Sequence, residues 1–340
     1  MMNWILTAVA WAAIAGVAGA QGDEARRMSL IAVGDINLGR HVGQVLLKDS
    51  LDYPFFFVSG VFSRYDIVLG NLESQITDQN GETQHPSDRY IFCAPPQAAK
   101  ALRMAGVTLV ATANNHAYDY KAKGLRETIG YLKDAGIAWS GTSIDSVGTF
   151  PPVVLERNGI RMGFLAYTQF VNRKTGWIGH IALFEKSLAK KEIAALGSRV
   201  DLVVVSYHGG DEYREQPNKR TVSDMRALID AGADVVIGHH SHVPQGVESY
   251  KGKLIFYSLG NFVFYQPQRE WTQKGIAVAF TAVRDSLGVS IEKAEILPLK
   301  AGFQPSFDVS SADRLLLEER LRKLSRVSII RKDTTFAIIQ

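Results

Sequence analysis

Three imidazoles stand within Gly238-His239-His240-Ser241-His242, directly behind the apolar run Val235-Val236-Ile237. Neutral imidazole is a common metal ligand, and histidines spaced one apart on a loop can both turn toward one ion. Four other segments share this build, an apolar run of strand length that ends in a polar loop. They are Leu30–Val33 before Gly34-Asp35-Ile36-Asn37, Ile67–Leu69 before Gly70-Asn71-Leu72-Glu73, Val107–Ala111 before Asn114-Asn115-His116, and Leu202–Val205 before Ser206-Tyr207-His208. Taken singly, an Asp or Asn after a strand reads as a turn former or helix N-cap, and one histidine as a hydrogen-bonded structural residue. Five of the eight histidines fall in these loops, however, and hydrated turns have no need of them. Asp, Asn, Glu and His gathered at the carboxyl ends of five strands predict an α/β crevice that holds metal.

The elements that must position these loops are legible between them. Three helices are expected: Ala98–Ala105 is short and Ala-rich, Leu125–Ala135 has apolar residues at helical spacing and stops before Gly136, and Val222–Ala231 stops before Gly232. Each returns the chain to a new strand, as in βαβ units. Beyond Pro244 the runs Leu254–Tyr257, Ile276–Ala282 and Val289–Ile296 have no long helix between them, which predicts a mainly antiparallel group. Asp313–Leu324, rich in Leu, Glu and Arg, predicts a helix packed on the outside, so 301–340 is expected as a helical extension of a domain spanning 28–300. The ligand loops are scattered from Asp35 to His242 with no linker between them, and Gly148–Pro152 is the best mid-chain joint.

In order along the chain, Gly34-Asp35, Gly70-Asn71-Leu72-Glu73-Ser74, Asn114-Asn115-His116 with Asp119, His208-Gly209-Gly210 with Glu212-Tyr213, Gly238-His239-His240-Ser241-His242 and Tyr257-Ser258-Leu259-Gly260-Asn261-Phe262 resemble the CapA family. That family, CapA or PgsA, comprises poly-γ-glutamate capsule biosynthesis proteins and is a branch of the calcineurin-like metallophosphoesterase superfamily. Each motif alone is weak; six in sequence, from about Ser29 to about Pro298, are specific. The resemblance implies an α/β fold, a metallophosphoesterase-like sandwich of two mixed β-sheets flanked by helices.

It also implies roles. Asp35, Asn115, His208, His240 and His242 match ligand positions, and His116 matches the residue that stabilises or protonates a leaving group. The implied cofactor is one or two divalent metal ions, with Mn, Fe and Zn equally suited to mixed N/O ligands. Two departures stand out: Asn37 replaces a ligand histidine and Asn71 replaces the bridging aspartate. A neutral amide bridges two dications poorly. Glu73, two residues on, points the same way as Asn71 in an extended segment and would supply the missing charge. Alternation along the loop groups His240 with His242 and turns His239 away. Asp119 and Glu212 are candidates to orient His116 and His208 through their second ring nitrogens, or else each is a cap or a surface charge, and Asn261 reads as a turn former or a substrate contact.

Composition sets the outer bounds. With 340 residues, 46% hydrophobic and 21% charged, the chain can bury a large core. A net charge of +4 and pI near 9.0 suit an anionic partner such as poly-γ-glutamate or a phosphoester substrate, but fall short of the basic stripe of a nucleic-acid binder. Lys121, Lys123 and Arg126 are candidates to face an anion, or else a solvated helix face. The apolar stretch from Trp4 to Val17, followed by Ala18-Gly19-Ala20, reads as a signal peptide over 1–20 cleaved after Ala20, with an uncleaved membrane anchor as the alternative. The single Cys93, among Ile91, Phe92 and Ala94, excludes an intrachain disulfide and reads as a buried structural thiol. Two functions follow: an exported metal-dependent hydrolase or transferase acting on a phosphoester or γ-glutamyl amide, or a non-catalytic cell-surface scaffold that binds an anionic polymer or membrane components of a capsule machine.

Overall fold

The computed structural model describes residues 26–145, 148 and 150–339, so the expected signal peptide and its cleavage site lie outside the described residues. Strand β1 (Arg26–Ile36) sets the plan by simple alternation. Leu30 and Ala32 face one way and Ile31 and Val33 the other, and both sets are buried. Such a strand must be covered on two faces. After β1 come α1 (Arg40–Leu46), α2 (Ser59–Phe62), β2 (Ile67–Leu72), a short ribbon of β3 (Gln75–Ile76) and β4 (Cys93–Ala94), α3 (Gln97–Met104), β5 (Leu109–Ala111), α4 (Lys121–Asp134) and β6 (Ala138–Ser140). Strands β1, β2, β5 and β6 lie side by side and parallel.

The chain then builds a second layer from β7 (Val153–Arg157), β8 (Ile160–Thr168), α5 (Lys186–Gly197), β9 (Leu202–His208), α6 (Lys219–Asp230), β10 (Val235–His239), β11 (Val247–Tyr250) and β12 (Lys253–Phe256). It returns to the first with β13 (Lys274–Asp285) and β14 (Gly288–Lys300), and ends in α7 (Ser311–Leu324), β15 (Ser328–Arg331) and β16 (Phe336–Ile339). One sheet has the order β15-β16-β14-β13-β1-β2-β5-β6 and the other β11-β12-β10-β9-β8-β7. Each is mixed, a parallel block with antiparallel strands added. Leu30, Leu69, Leu109 and Val278 of the first sheet share one core with Phe164, Val204, Val236 and Phe256 of the second. Each such side chain contributes about 1.5–3 kcal/mol on burial. Ile31, Val68 and Val110 pack instead beneath Val42 and Leu46 of α1 and Leu102 of α3.

The joint expected at Gly148–Pro152 falls between β6 and β7, where the chain passes from one layer to the other. The expected antiparallel group is divided. β13 and β14 do form a hairpin beside β1, but Leu254-Ile255-Phe256 enters the other sheet parallel to β10. A run that is apolar at every position fits a strand covered on both faces. Beyond residue 300 the chain adds, besides the expected helix, two strands that extend the first sheet, with Ile329 and Phe336 buried. Strands this short carry too few residues for alternation to announce them. Cys93 is buried and free, as expected. No helix among the described residues is long and apolar enough to cross a membrane.

Candidate metal centre

All five ligand loops leave the carboxyl ends of parallel strands, three from one sheet and two from the other. The segment after β12 laces these ends together. Asp35 donates its N–H to Gly260 O at 3.0 Å, Phe262 returns one to Asp35 O at 2.9 Å, and Leu259 donates to Gly238 O at 3.2 Å. Glycine is required where the chains cross. A Cβ on Gly34 would lie 1.8 Å from Gly260 O, and one on Gly238 would lie 2.1 Å from Tyr257 O. The Tyr257–Phe262 motif therefore brings the two sheet ends within side-chain reach.

Asp35 is at the centre of the cluster and fully buried. Its Oδ1 accepts from Asn71 Nδ2 at 2.8 Å and lies 3.3 Å from His239 Nδ1; its Oδ2 lies 3.0 Å from His242 Nδ1. Burial works to raise the Asp35 pKa, but the nearby nitrogens of His239 and His242 outweigh it and hold the carboxyl well below its ordinary value. Glu73, also fully buried, turns Oε2 toward Asn71 Nδ2 at 3.3 Å and Oε1 toward His242 Nε2 at 3.6 Å. Burial first, then the charges of Asp35 and Glu212, push Glu73 well above the usual carboxylate range. Of this coupled pair, Asp35 keeps the charge and Glu73 the proton.

The histidines are fixed by their second nitrogens. His242 Nδ1 faces two acceptors, Asp35 Oδ2 and Asn261 Oδ1, the latter at 2.9 Å. Asn261 cannot turn round, because its Nδ2 donates to Gln266 Oε1 and Thr272 O, both at 3.0 Å. His242 therefore carries a proton on Nδ1 and turns Nε2 toward Glu73. His208 places Nε2 2.7 Å from Asn115 Oδ1 and Nδ1 3.2 Å from Asn71 Nδ2. His240 lies with its ring 4.9 Å from that of His208. Burial, and then the neighbouring His242, push the His240 pKa down to about 3, and burial likewise lowers that of His208.

Several expectations change on meeting the tertiary structure. Asn71 presents its NH2, not its oxygen, to Asp35, Glu73 and His208. Its Oδ1 is held by Asn114 Nδ2 at 3.2 Å, and Asn114 is oriented in turn by Leu72 O and His116 N–H. His239 does not face away: it is buried beside Asp35, because positive φ angles at His240 (92°) and His242 (59°) break the alternation. Glu212 does not orient His208, whose nitrogens are already engaged; Gly210, at φ 107°, turns the chain outward and leaves Glu212 exposed beside Tyr213. Asn37 accepts from Gly39 N–H at 3.0 Å in the turn before α1, and among the described residues its side chain forms no hydrogen bond to the cluster. Asn261 serves His242 from behind.

His116 is arranged for proton handling. Its Nδ1 lies 2.7 Å from Asp119 Oδ2, which also accepts the N–H of Phe92 at 2.7 Å, and Phe92 stacks on the imidazole with centroids 3.9 Å apart. Its Nε2 is left facing Asn172 Nδ2 at 3.5 Å.

The residues present suit a cation. Ligand atoms of Asp35, Glu73 and His208 all lie within 4.8 Å of one another. Glu73 Oε1, both nitrogens of His239 and Nδ1 of His240 are buried with no hydrogen-bond partner. Each such orphan costs about 1–3 kcal/mol, and a divalent ion would satisfy Glu73 Oε1, His240 Nδ1 and one of the two His239 nitrogens.

Comparison with known proteins agrees with this architecture. The family described as bacterial capsule synthesis protein PGA_cap matches residues 29–266, which includes every residue of the cluster. The "Capsule biosynthesis protein CapA" of Bacillus anthracis is 34% identical over 336 residues, covering 94% of this chain and 79% of that protein. The "PGA biosynthesis protein CapA" of Bacillus subtilis is 32% identical over 251 residues, covering 72% of this chain and 65% of that one. A solved Staphylococcus aureus structure, assigned as a 5′-nucleotidase, is similar in fold with TM-score 0.50 at 12% identity, covering 86% of this chain and 58% of that one.

Proposed function

The chain belongs to the bacterial capsule synthesis family PGA_cap, and on that premise we propose that it is an exported, metal-dependent hydrolase-type component of poly-γ-glutamate capsule synthesis. Its substrate would be a phosphoester or the γ-glutamyl amide of an anionic polymer. The observation that carries this reading is Glu73, which brings a buried, unpartnered carboxyl oxygen 3.6 Å from Nε2 of His242 and, on giving up its proton to an ion, would replace the charge missing at Asn71. Asp35, Glu73, His208, His239, His240 and His242 would between them hold one or two ions, with Asn115 contributing its amide oxygen. When bound, a divalent ion supplies positive charge that polarises a phosphoryl or carbonyl oxygen.

The chain's own residues do the rest. His116 holds or moves a proton at Nε2, and Asp119, fixed against Nδ1, stabilises the imidazolium that forms. Asn261 sets the tautomer of His242. Burial of the cluster strengthens every one of these interactions by excluding water. One observation favours the scaffold as a second reading: the Asn71 amide donates hydrogen bonds where a bridging carboxylate would be expected.

Export is supported by the uncharged apolar stretch ending at Ala18-Gly19-Ala20, and a mature chain beginning at Gln21 is the expected mass. Metal analysis of the purified protein, paired with assays on phosphodiesters and γ-glutamate chains, tests the function. We expect Mn, Fe or Zn in the wild type and its loss in His208→Ala and His242→Ala. Native protein with no more metal than a histidine-free control would overturn the metal site. A fully metallated protein that leaves both substrates intact would leave the scaffold.

A further inference from the structure

Two guanidinium groups lie over aromatic rings that in turn lie against histidines of the site. Arg40, the first residue of α1, places Cζ 4.7 Å from the centroid of the Phe92 ring, and Phe92 stacks on His116 at 3.9 Å with an interplanar angle of 23°. Arg269 places Cζ 4.4 Å over the Tyr213 ring, which lies 6.0 Å from His242 at 34°. Each of these histidines is backed by an aromatic ring, and each ring is capped by an arginine. Phe264 joins the two stacks, with edge contacts to Phe92 at 5.5 Å and to His242 at 5.0 Å.

Neither cation is neutralised. Among the described residues Arg40 and Arg269 form no ion pair, and the one side-chain hydrogen bond of Arg40 goes to the Arg89 carbonyl. The acidic residues beside Arg269 and Tyr213 in sequence have other partners: Glu270 pairs with Lys274 at 3.2 Å and Glu212 interacts with the Tyr213 hydroxyl. Arg40 also sits in left-handed backbone at φ 53°, held by Thr83, which accepts its N–H and donates to its carbonyl. Strain of this kind persists where the surroundings impose it, and it clusters at binding sites. A guanidinium stacked on a ring keeps its N–H groups in plane and directed outward, ready for two-point contact with a carboxylate or phosphate.

We propose that Arg40 and Arg269 are specificity-determining residues that grip anionic groups flanking the reacting centre, selecting a chain of repeated negative charges over a lone anion. The proposal rests on the metal-dependent reading above. It differs from the sequence expectation, which placed candidate cations at Lys121, Lys123 and Arg126. Of these, Lys123 is spent on Glu127 and Asp78 O, on the exposed face of α4.

The test uses the mature, Mn²⁺-loaded protein, a fluorescent γ-glutamate oligomer read by anisotropy, and inorganic phosphate read by calorimetry. R40Q and R269Q should each weaken oligomer binding about tenfold, the loss of one charge-assisted contact, and the double variant about a hundredfold. Metal content and phosphate binding should stay near wild type, the salt dependence of oligomer binding should flatten, and R40K and R269K should recover part of the loss. Wild-type oligomer affinity in both Gln variants would overturn the proposal, as would a loss that parallels loss of metal or of the folded state in every variant, Lys included. A wild type that takes up metal but no oligomer overturns the proposal and leaves the metal reading standing, whereas one that takes up no metal removes both.

Discussion

Glu73→Gln removes one of the two buried carboxyl groups, Glu73 and Asp35, that would face the ion. In the metal-free protein Glu73 is fully buried, held off ionisation by burial and by the charges of Asp35 and Glu212. Glutamine is neutral and nearly the same shape, so the metal-free variant should melt within about 1 kcal/mol of the wild type. Metal binding is different, because the ion must expel the Glu73 proton and gain the carboxylate charge beside His242 Nε2, 3.6 Å away. A glutamine oxygen offers no charge, and affinity should fall about tenfold or more, some 1.4 kcal/mol per factor of ten.

The same shift fixes a pH dependence. The folded pKa of Glu73 lies above its unfolded value of about 4.3, so between the two the folded chain holds more protons than the unfolded one. Stability of the metal-free wild type therefore falls as pH rises through that window, and the variant should not show the fall. Metal affinity of the wild type rises over the same window, since binding releases the proton. Equilibrium dialysis with metal analysis, at mildly acidic and mildly alkaline pH, reads the affinity, and denaturant unfolding of the metal-free protein at the same pH values reads the stability. A variant that keeps wild-type metal content and the wild-type pH slope would show that Glu73 is not a ligand.

Two further outcomes are expected. His116→Ala should lower turnover by about 10²–10⁴-fold with metal content near normal; equal loss of both would place His116 in the ligand set instead. Gly34→Ala would set a Cβ 1.8 Å from Gly260 O and force the lacing segment off β1; a loss of about 3 kcal/mol or more by thermal unfolding, with weaker metal retention, is expected, and an unchanged melting curve would refute the crossing argument.

What the sequence by itself determined is the local chemistry. Strand length, alternation and polar strand ends are properties of a few consecutive residues, so β1, β2, β5, β9 and β10 and their loops were legible, as were α3, α4, α6 and α7. The pairing of His116 with Asp119, three residues apart, was legible for the same reason. Only the tertiary structure decided how those loops meet. Asp35 and His242 are 207 residues apart and touch because the segment after β12 ties two sheets together. The amide of Asn71 turned its NH2 inward because Asn114, on another strand, holds its oxygen. His239 came to face Asp35 because left-handed backbone at His240 broke a period that the sequence has no means of marking. Nothing local marks Arg40 and Arg269, since a guanidinium becomes part of a site only when a ring from elsewhere in the chain, Phe92 or Tyr213, lies between it and a histidine. Side-chain type and spacing are written locally, whereas direction and neighbourhood follow from packing across the whole chain.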